Sequence, residues 1–214
     1  MLLQNVCCVV PAGVVCFFPS YDYLEMVYKS LTASGVLQRL QNKKTIFKEP
    51  RSSASSSGNT VEQMLADYAE AIRNAKSPQQ GALLLSVVGG KLSEGLNFAD
   101  DLGRAVIVVG LPYPSRHSPE LQERMRHLDA TLTAGAGNEY YENLCMKAVN
   151  QCIGRSVRHI RDYACVLLLD ERYGGERIQQ KLPKWIARSL QQPQTFGAMQ
   201  SAIARFFRLK KESK

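Results

Sequence analysis

Ala82-Leu83-Leu84-Leu85-Ser86-Val87-Val88 runs straight into Gly89-Gly90-Lys91-Leu92-Ser93-Glu94-Gly95-Leu96-Asn97-Phe98. A near-continuous apolar run, rather than an alternating one, suits a parallel strand covered on both faces. Glycines directly after such a strand let the backbone approach a ligand closely. Residues 13–18, 105–111 and 164–169 are apolar in the same way, and 45–47 forms a short edge candidate. Helical patterns over 21–34, 60–74, 119–127 and 140–159 lie between them. Strands alternating with helices predict an α/β fold, an open and mostly parallel sheet with helices on both faces.

The remaining stretches set the boundaries. Residues 49–59, with the serine run Ser52-Ser53-Ala54-Ser55-Ser56-Ser57-Gly58, read as a flexible loop, and 129–138 as a second loop. The uncharged opening 1–18 lacks a basic leader and is broken by Pro11 and Gly13, so a short helix, a turn and a buried strand are expected there. Residues 1–190 form the domain, and 191–214 a C-terminal helix with a basic tail holding Arg205, Arg208, Lys210, Lys211 and Lys214. That tail suits a nuclear address, a phosphate contact or simply a solvated helix end.

Of 214 residues, 45% are apolar, enough for one good core. The excess of 27 basic over 19 acidic residues gives a net charge of +8, which favours a polyanionic partner. Six cysteines without a Cys-x-x-Cys pair point to free thiols in a reducing compartment. His117, His127 and His159 lack metal-ligand spacing, and no protein-bound metal is expected.

Ligands of an open parallel sheet bind outside the carboxyl ends of its strands. Ser20, after the first strand, suits a helix cap or a phosphate contact. Lys91 and Ser93 in the glycine loop can meet phosphates, whereas Glu94 suggests a ribose, a magnesium-bound water or an arginine. The loop is not a P-loop: Leu85 and Leu92 stand where that pattern needs glycine and Ser/Thr. Gln151, Arg155 and Arg158, at i, i+4 and i+7, fall within about 60° of one another on a helix. Met146, Val149, Ile153, Val157 and Ile160 form the opposing apolar stripe. Planar guanidiniums match phosphate oxygens, so this helix is expected to present a phosphate-sensing face; a solvated basic face is the plainer alternative.

These three segments resemble helicase motifs. The stretch from Val9 to Tyr21 is similar to motif IV, Gly89 to Phe98 to motif V and Gln151 to Arg158 to motif VI of the XPD-like, iron–sulfur, DEAH-type superfamily 2 DNA helicases. The likeness is strongest to their CHL-type (chromosome-loss) branch, where asparagine at position 97 replaces the aspartate of many XPD-like members. The resemblance implies a RecA-like second motor domain with Arg158 as arginine finger, and Arg155 and Gln151 on the nucleotide phosphates or the opposing domain. It implies that Glu94, Gly95 and Asn97 line the ATP cleft, and that Ser20, Tyr21, Lys91 and Ser93 contact the DNA backbone. ATP and Mg2+ would be held mainly by an N-terminal helicase half, which would also carry the [4Fe–4S] cluster. This sequence contains no Walker A lysine motif, DEAH sequence or four-cysteine cluster, so alone it is expected to be inactive.

The resulting expectation is the C-terminal motor domain of a nuclear, 5′-to-3′ DNA helicase. It would act in replication, repair and sister-chromatid cohesion, on single-stranded or forked DNA, with replication and cohesion factors as further partners and no membrane. The alternatives are a truncated, non-catalytic module that binds nucleic acid or a partner, and a small-molecule α/β enzyme. The last lacks both a Gly-x-Gly-x-x-Gly turn and a Ser/His/Asp set.

Overall fold

A computed structural model describes residues 2–51, 59–77, 79–92, 98–157 and 159–212. Five parallel strands form one sheet: β1 (Ala12–Phe18), β2 (Thr45–Lys48), β3 (Gly81–Val87), β4 (Ala105–Val109) and β5 (Cys165–Leu169), in the spatial order β2-β3-β1-β4-β5. The earliest strand therefore lies at the centre, and the chain builds outward from it to both sides.

Both faces of the sheet are covered, which explains the uninterrupted apolar strands. In β1, Val15 and Phe17 join one core while Val14, Cys16 and Phe18 join the other. On the first face pack α4 (Asn59–Arg73) through Tyr68 and Ile72, and α6 (Ala136–Ile153) through Met146, Val149 and Ile153. The second face holds α1 (Leu2–Val9), α2 (Tyr21–Ala33), α3 (Val36–Gln41) and α9 (Phe196–Glu212). Also on the first side are α5 (Pro119–Thr131), packed on α6, and the short α7 (Glu176–Gln179) and α8 (Lys184–Ala187), whose Ile178 and Ile186 join the first core. The opening helix, turn and strand occur as expected, and among the described residues no helix is long and apolar enough to cross a membrane. Within α9, Ile203 and Phe207 anchor the helix in the second core, and Arg205 and Arg208 face solvent.

Two expectations need correcting, and a third falls partly outside the described residues. The span 129–138 is mostly helical: α5 runs to Thr131 and α6 starts at Ala136, with Asp129 Oδ1 accepting from the Gly135 and Gly137 N–H groups to close the turn. The expected loop 49–59 has no helix or strand over 49–51, where Glu49 is buried at 3% exposure, and its serine run, 52–58, lies outside the described residues. Finally, the arginine helix is shorter than 140–159: it ends at Ile153, and Gly154, Arg155 and Ser156 form a turn. Ser156 stops it by giving both its N–H (3.1 Å) and its hydroxyl (2.7 Å) to the Ile153 carbonyl.

Candidate functional site: the carboxyl edge and the arginine turn

At the carboxyl ends of β1, β2 and β3 the chain gathers around one carboxylate. Glu49, just beyond β2, accepts from the Ser86 hydroxyl at 2.6 Å, the Val87 N–H at 2.9 Å, the Leu92 N–H at 3.3 Å and the Tyr21 hydroxyl at 2.9 Å. Burial and this bond push the Tyr21 hydroxyl up to about 12, so it stays a proton donor at physiological pH. Gly90 is required here by space: a Cβ on it would stand 2.4 Å from Glu49 Oε1. Gly89, with φ +73°, takes the left-handed turn that carries the chain over the edge. The carboxylate thus ties the segment after β1 to the glycine loop after β3. Sequence reasoning missed Glu49 because its serine-rich surroundings look like linker, and only the topology brings its donors together.

Around this anchor the expected DNA-contacting residues separate by role. Ser20 caps α2, its Oγ accepting from the Tyr23 N–H at 3.1 Å, so the capping explanation is satisfied while the residue stays exposed. Tyr21 is engaged with Glu49. Lys91 is exposed and, among the described residues, forms no ion pair. Ser93, Glu94, Gly95 and Asn97 lie outside the described residues, as does Arg158.

The loop reappears at Phe98, which is 2% exposed and packs edge-on against Phe17 and Tyr68. Its N–H donates to the Arg155 carbonyl at 3.1 Å, joining the end of the glycine loop to the arginine turn. Gln151 is exposed on the last turn of α6, while Cys152 and Ile153 beside it are buried. Because the helix stops at Ile153, Gln151 and Arg155 do not share one helical face. The apolar stripe ends there too, with Val157 half-buried and Ile160 fully exposed. Gln151 therefore stands on the last helical turn and Arg155 on the turn that follows it. Near the amino end of β4, Asp100, His159 and Asp162 bring ligand-type atoms within 4.8 Å of one another. Arg104 is already paired there, 2.9 Å from Asp162 and 3.0 Å from Asp101.

Comparison with known proteins adds the family. A family model described as the helicase C-terminal domain matches residues 3–189. The chain belongs to this family. It is 49% identical over 218 residues to the ATP-dependent DNA helicase DDX11 of Danio rerio, covering 99% of this chain and 24% of that protein. It is 46% identical over 198 residues to the ATP-dependent DNA helicase chl-1 of Caenorhabditis elegans, with 92% and 22% covered. The chain thus spans about a quarter of the length of these relatives. Among solved structures, an apo XPD aligns with TM-score 0.57 at 21% identity over 84% of this chain and 32% of that one. S. tokodaii Xpd4 aligns with TM-score 0.55 at 22% identity over 86% and 32%. The resemblance to the C-terminal helicase domain of XPD-like helicases, and to the CHL type, therefore holds, as does the expected α/β fold.

Proposed function

We propose that this chain is the second motor half of a nuclear, ATP-dependent, 5′-to-3′ DNA helicase acting in replication, repair and sister-chromatid cohesion. The observation that carries this reading is the bond from the Phe98 N–H to the Arg155 carbonyl. It ties the arginine turn to the end of the glycine loop, and Glu49 ties the start of that loop, at Leu92, to Tyr21 beside Ser20.

Gln151, Arg155 and Arg158 complete a nucleotide site whose P-loop and magnesium ligands belong to an N-terminal helicase half, where the iron–sulfur cluster also resides. ATP, when bound there, supplies the phosphoryl group. Arg158 stabilises its developing negative charge as the arginine finger, and Arg155 and Gln151 orient the phosphates or the opposing domain. Glu94, Gly95 and Asn97 line the cleft. Ser20, Tyr21, Lys91 and Ser93 hold the DNA backbone, a contact that carries no sequence information and weakens with salt. Single-stranded or forked DNA is the substrate, and replication and cohesion factors are further partners.

Reconstitution with a separately made N-terminal half tests the reading. Restored DNA-stimulated ATP turnover, lost on the order of 10³-fold in Arg158→Ala, supports it. No restored turnover favours a non-catalytic binding module, and full turnover in the variant removes the finger role.

A further inference from the structure

Two stretches enter the sheet side by side: residues 98–104 lead from the glycine loop into β4, and residues 155–163 lead from the arginine turn into β5. The Phe98 N–H bond to the Arg155 carbonyl ties them at one end. At the other end stands Arg104, which is 3% exposed. Its Nη1 donates to Asp162 Oδ1 and to the Tyr163 carbonyl, each at 2.9 Å, and its guanidinium lies 4.1 Å from the Tyr163 ring centroid. The Asp100 N–H adds a bond to Asp162 Oδ2 at 3.2 Å.

The span between those ends is held more lightly. Among the described residues 157, 159, 160 and 161, only His159 has a side chain that bonds, its Nε2 standing 3.1 Å from Asp100 Oδ1. A carboxylate can only accept, so the imidazole N–H donates. Charge favours the bond. Asp100, Asp101 and Asp162 gather around the Arg104 guanidinium, with Asp101 3.0 Å and Asp100 4.0 Å from its Nη2. Shared among three carboxylates, that cation leaves Asp100 with acceptor capacity, which the imidazole takes up.

The backbone agrees with this arrangement. Asp100 is left-handed (φ +57°), a conformation that aspartate tolerates better than most residues, and the Asp162 carboxylate holds it there through its N–H. Asp100, His159 and Asp162 are thus engaged with one another and with Arg104, a closed clasp and not an open set of metal ligands.

We propose that His159 is a positioning residue for the arginine turn, its bond to Asp100 fixing the backbone between Arg155 and Asp162 against the segment that ends the glycine loop. The inference rests on the motor reading above, in which Arg155 and Arg158 meet the triphosphate, and adds the group that keeps their backbone in place. Those arginines act on charge that develops in the transition state, so a loosened turn lowers turnover and leaves binding intact.

The test measures DNA-stimulated ATP turnover by this chain mixed with the separately made N-terminal half. His159→Ala should lower kcat by roughly tenfold to 100-fold, the scale of a roughly 1 Å misplacement, with the KM for ATP and the half-saturating DNA concentration within about twofold of the parent. Asp100→Gly, which keeps the left-handed backbone and removes the carboxylate, should cause the same loss, and the double variant no more than either alone. His159→Gln, whose amide N–H reaches the same position, should restore most of the turnover. The His159 and Asp100 side chains are 49% and 58% exposed, so each variant should melt within about 4 °C of the parent. A loss that His159→Gln does not rescue, or losses that add in the double variant, would overturn the positioning role. If His159→Ala and Asp100→Gly turn over ATP as the parent does while Arg158→Ala loses turnover, the positioning role falls and the motor reading stands. If the parent mixture is inactive, or Arg158→Ala matches it, the motor reading fails and takes this inference with it.

Discussion

Replacing Glu49 by alanine removes the acceptor shared by Ser86, Val87, Leu92 and Tyr21. Ser86 is fully buried, and the Val87 and Leu92 residues are at most 4% exposed, so their donors have no ready access to water. A buried donor left without a partner costs about 1–3 kcal/mol. With these buried donors at the low end of that range, because water can enter the vacated space, the loss is about 3 kcal/mol. For a chain of this size each kcal/mol moves the melting temperature by about 2–4 °C, so scanning calorimetry should register a fall of about 6–12 °C. Tyr21→Phe supplies an internal scale, since it deletes one half-buried donor worth about 1 kcal/mol and leaves the carboxylate in place. A Glu49→Ala melting temperature within about 2 °C of the parent, or a Tyr21→Phe loss equal to the alanine loss, would refute the idea that this carboxylate organises the edge.

Three further outcomes are expected. Lys91→Ala should weaken single-stranded DNA binding at every sequence alike and lower its salt slope by about one, read by titration at several salt concentrations. Urea unfolding under reducing conditions should show lower stability at pH 10 than at pH 8. Burial pushes the Cys7, Cys145 and Cys152 thiols up to about 12 and Cys165 to about 11, and raises Cys16 further, whereas unfolded thiols ionise near 9. Above pH 9 the folded state therefore binds more protons than the unfolded one, and stability falls by up to about 1.4 kcal/mol per pH unit for each thiol. Lys44, buried and lowered to about 8, works in the opposite sense between its folded value and 10.5, but as one group against several; equal or greater stability at pH 10 contradicts the thiol burial. Native alkylation should label Cys8, the exposed thiol, well before the buried Cys7, Cys16, Cys145 and Cys152, as peptide mapping will report.

The sheet was legible because its strands are buried on both sides, leaving no polar alternation to confuse with an amphipathic helix. Gly13 also had its reason in the fold rather than in the sequence: a Cβ there would stand 2.3 Å from the Leu102 carbonyl oxygen. The helix after residue 140 was read too far because Val157 and Ile160 continue the apolar spacing beyond the true end. Gly154 and Ser156 were the stop signals, and the second acts by taking the Ile153 carbonyl. Spacing along one helix thus overstated the alignment of Gln151 with Arg155, although both lie at the same end of α6. Glu49 was illegible for a different reason. Its donors come from two segments far apart in the chain, Tyr21 and residues 86–92, and no local pattern announces their convergence.

The central place of β1 also bears on how the molecule comes into being. Its neighbours β3 and β4 both follow it in the chain, so a nascent chain presents Val14 to Phe18 with two unpaired edges until they emerge. Long-range parallel pairing is slow, and an unpaired apolar strand is prone to aggregate meanwhile. Production of this protein is therefore a contest between synthesis rate and self-association, one that chaperone supply or slower translation should tilt toward the folded form.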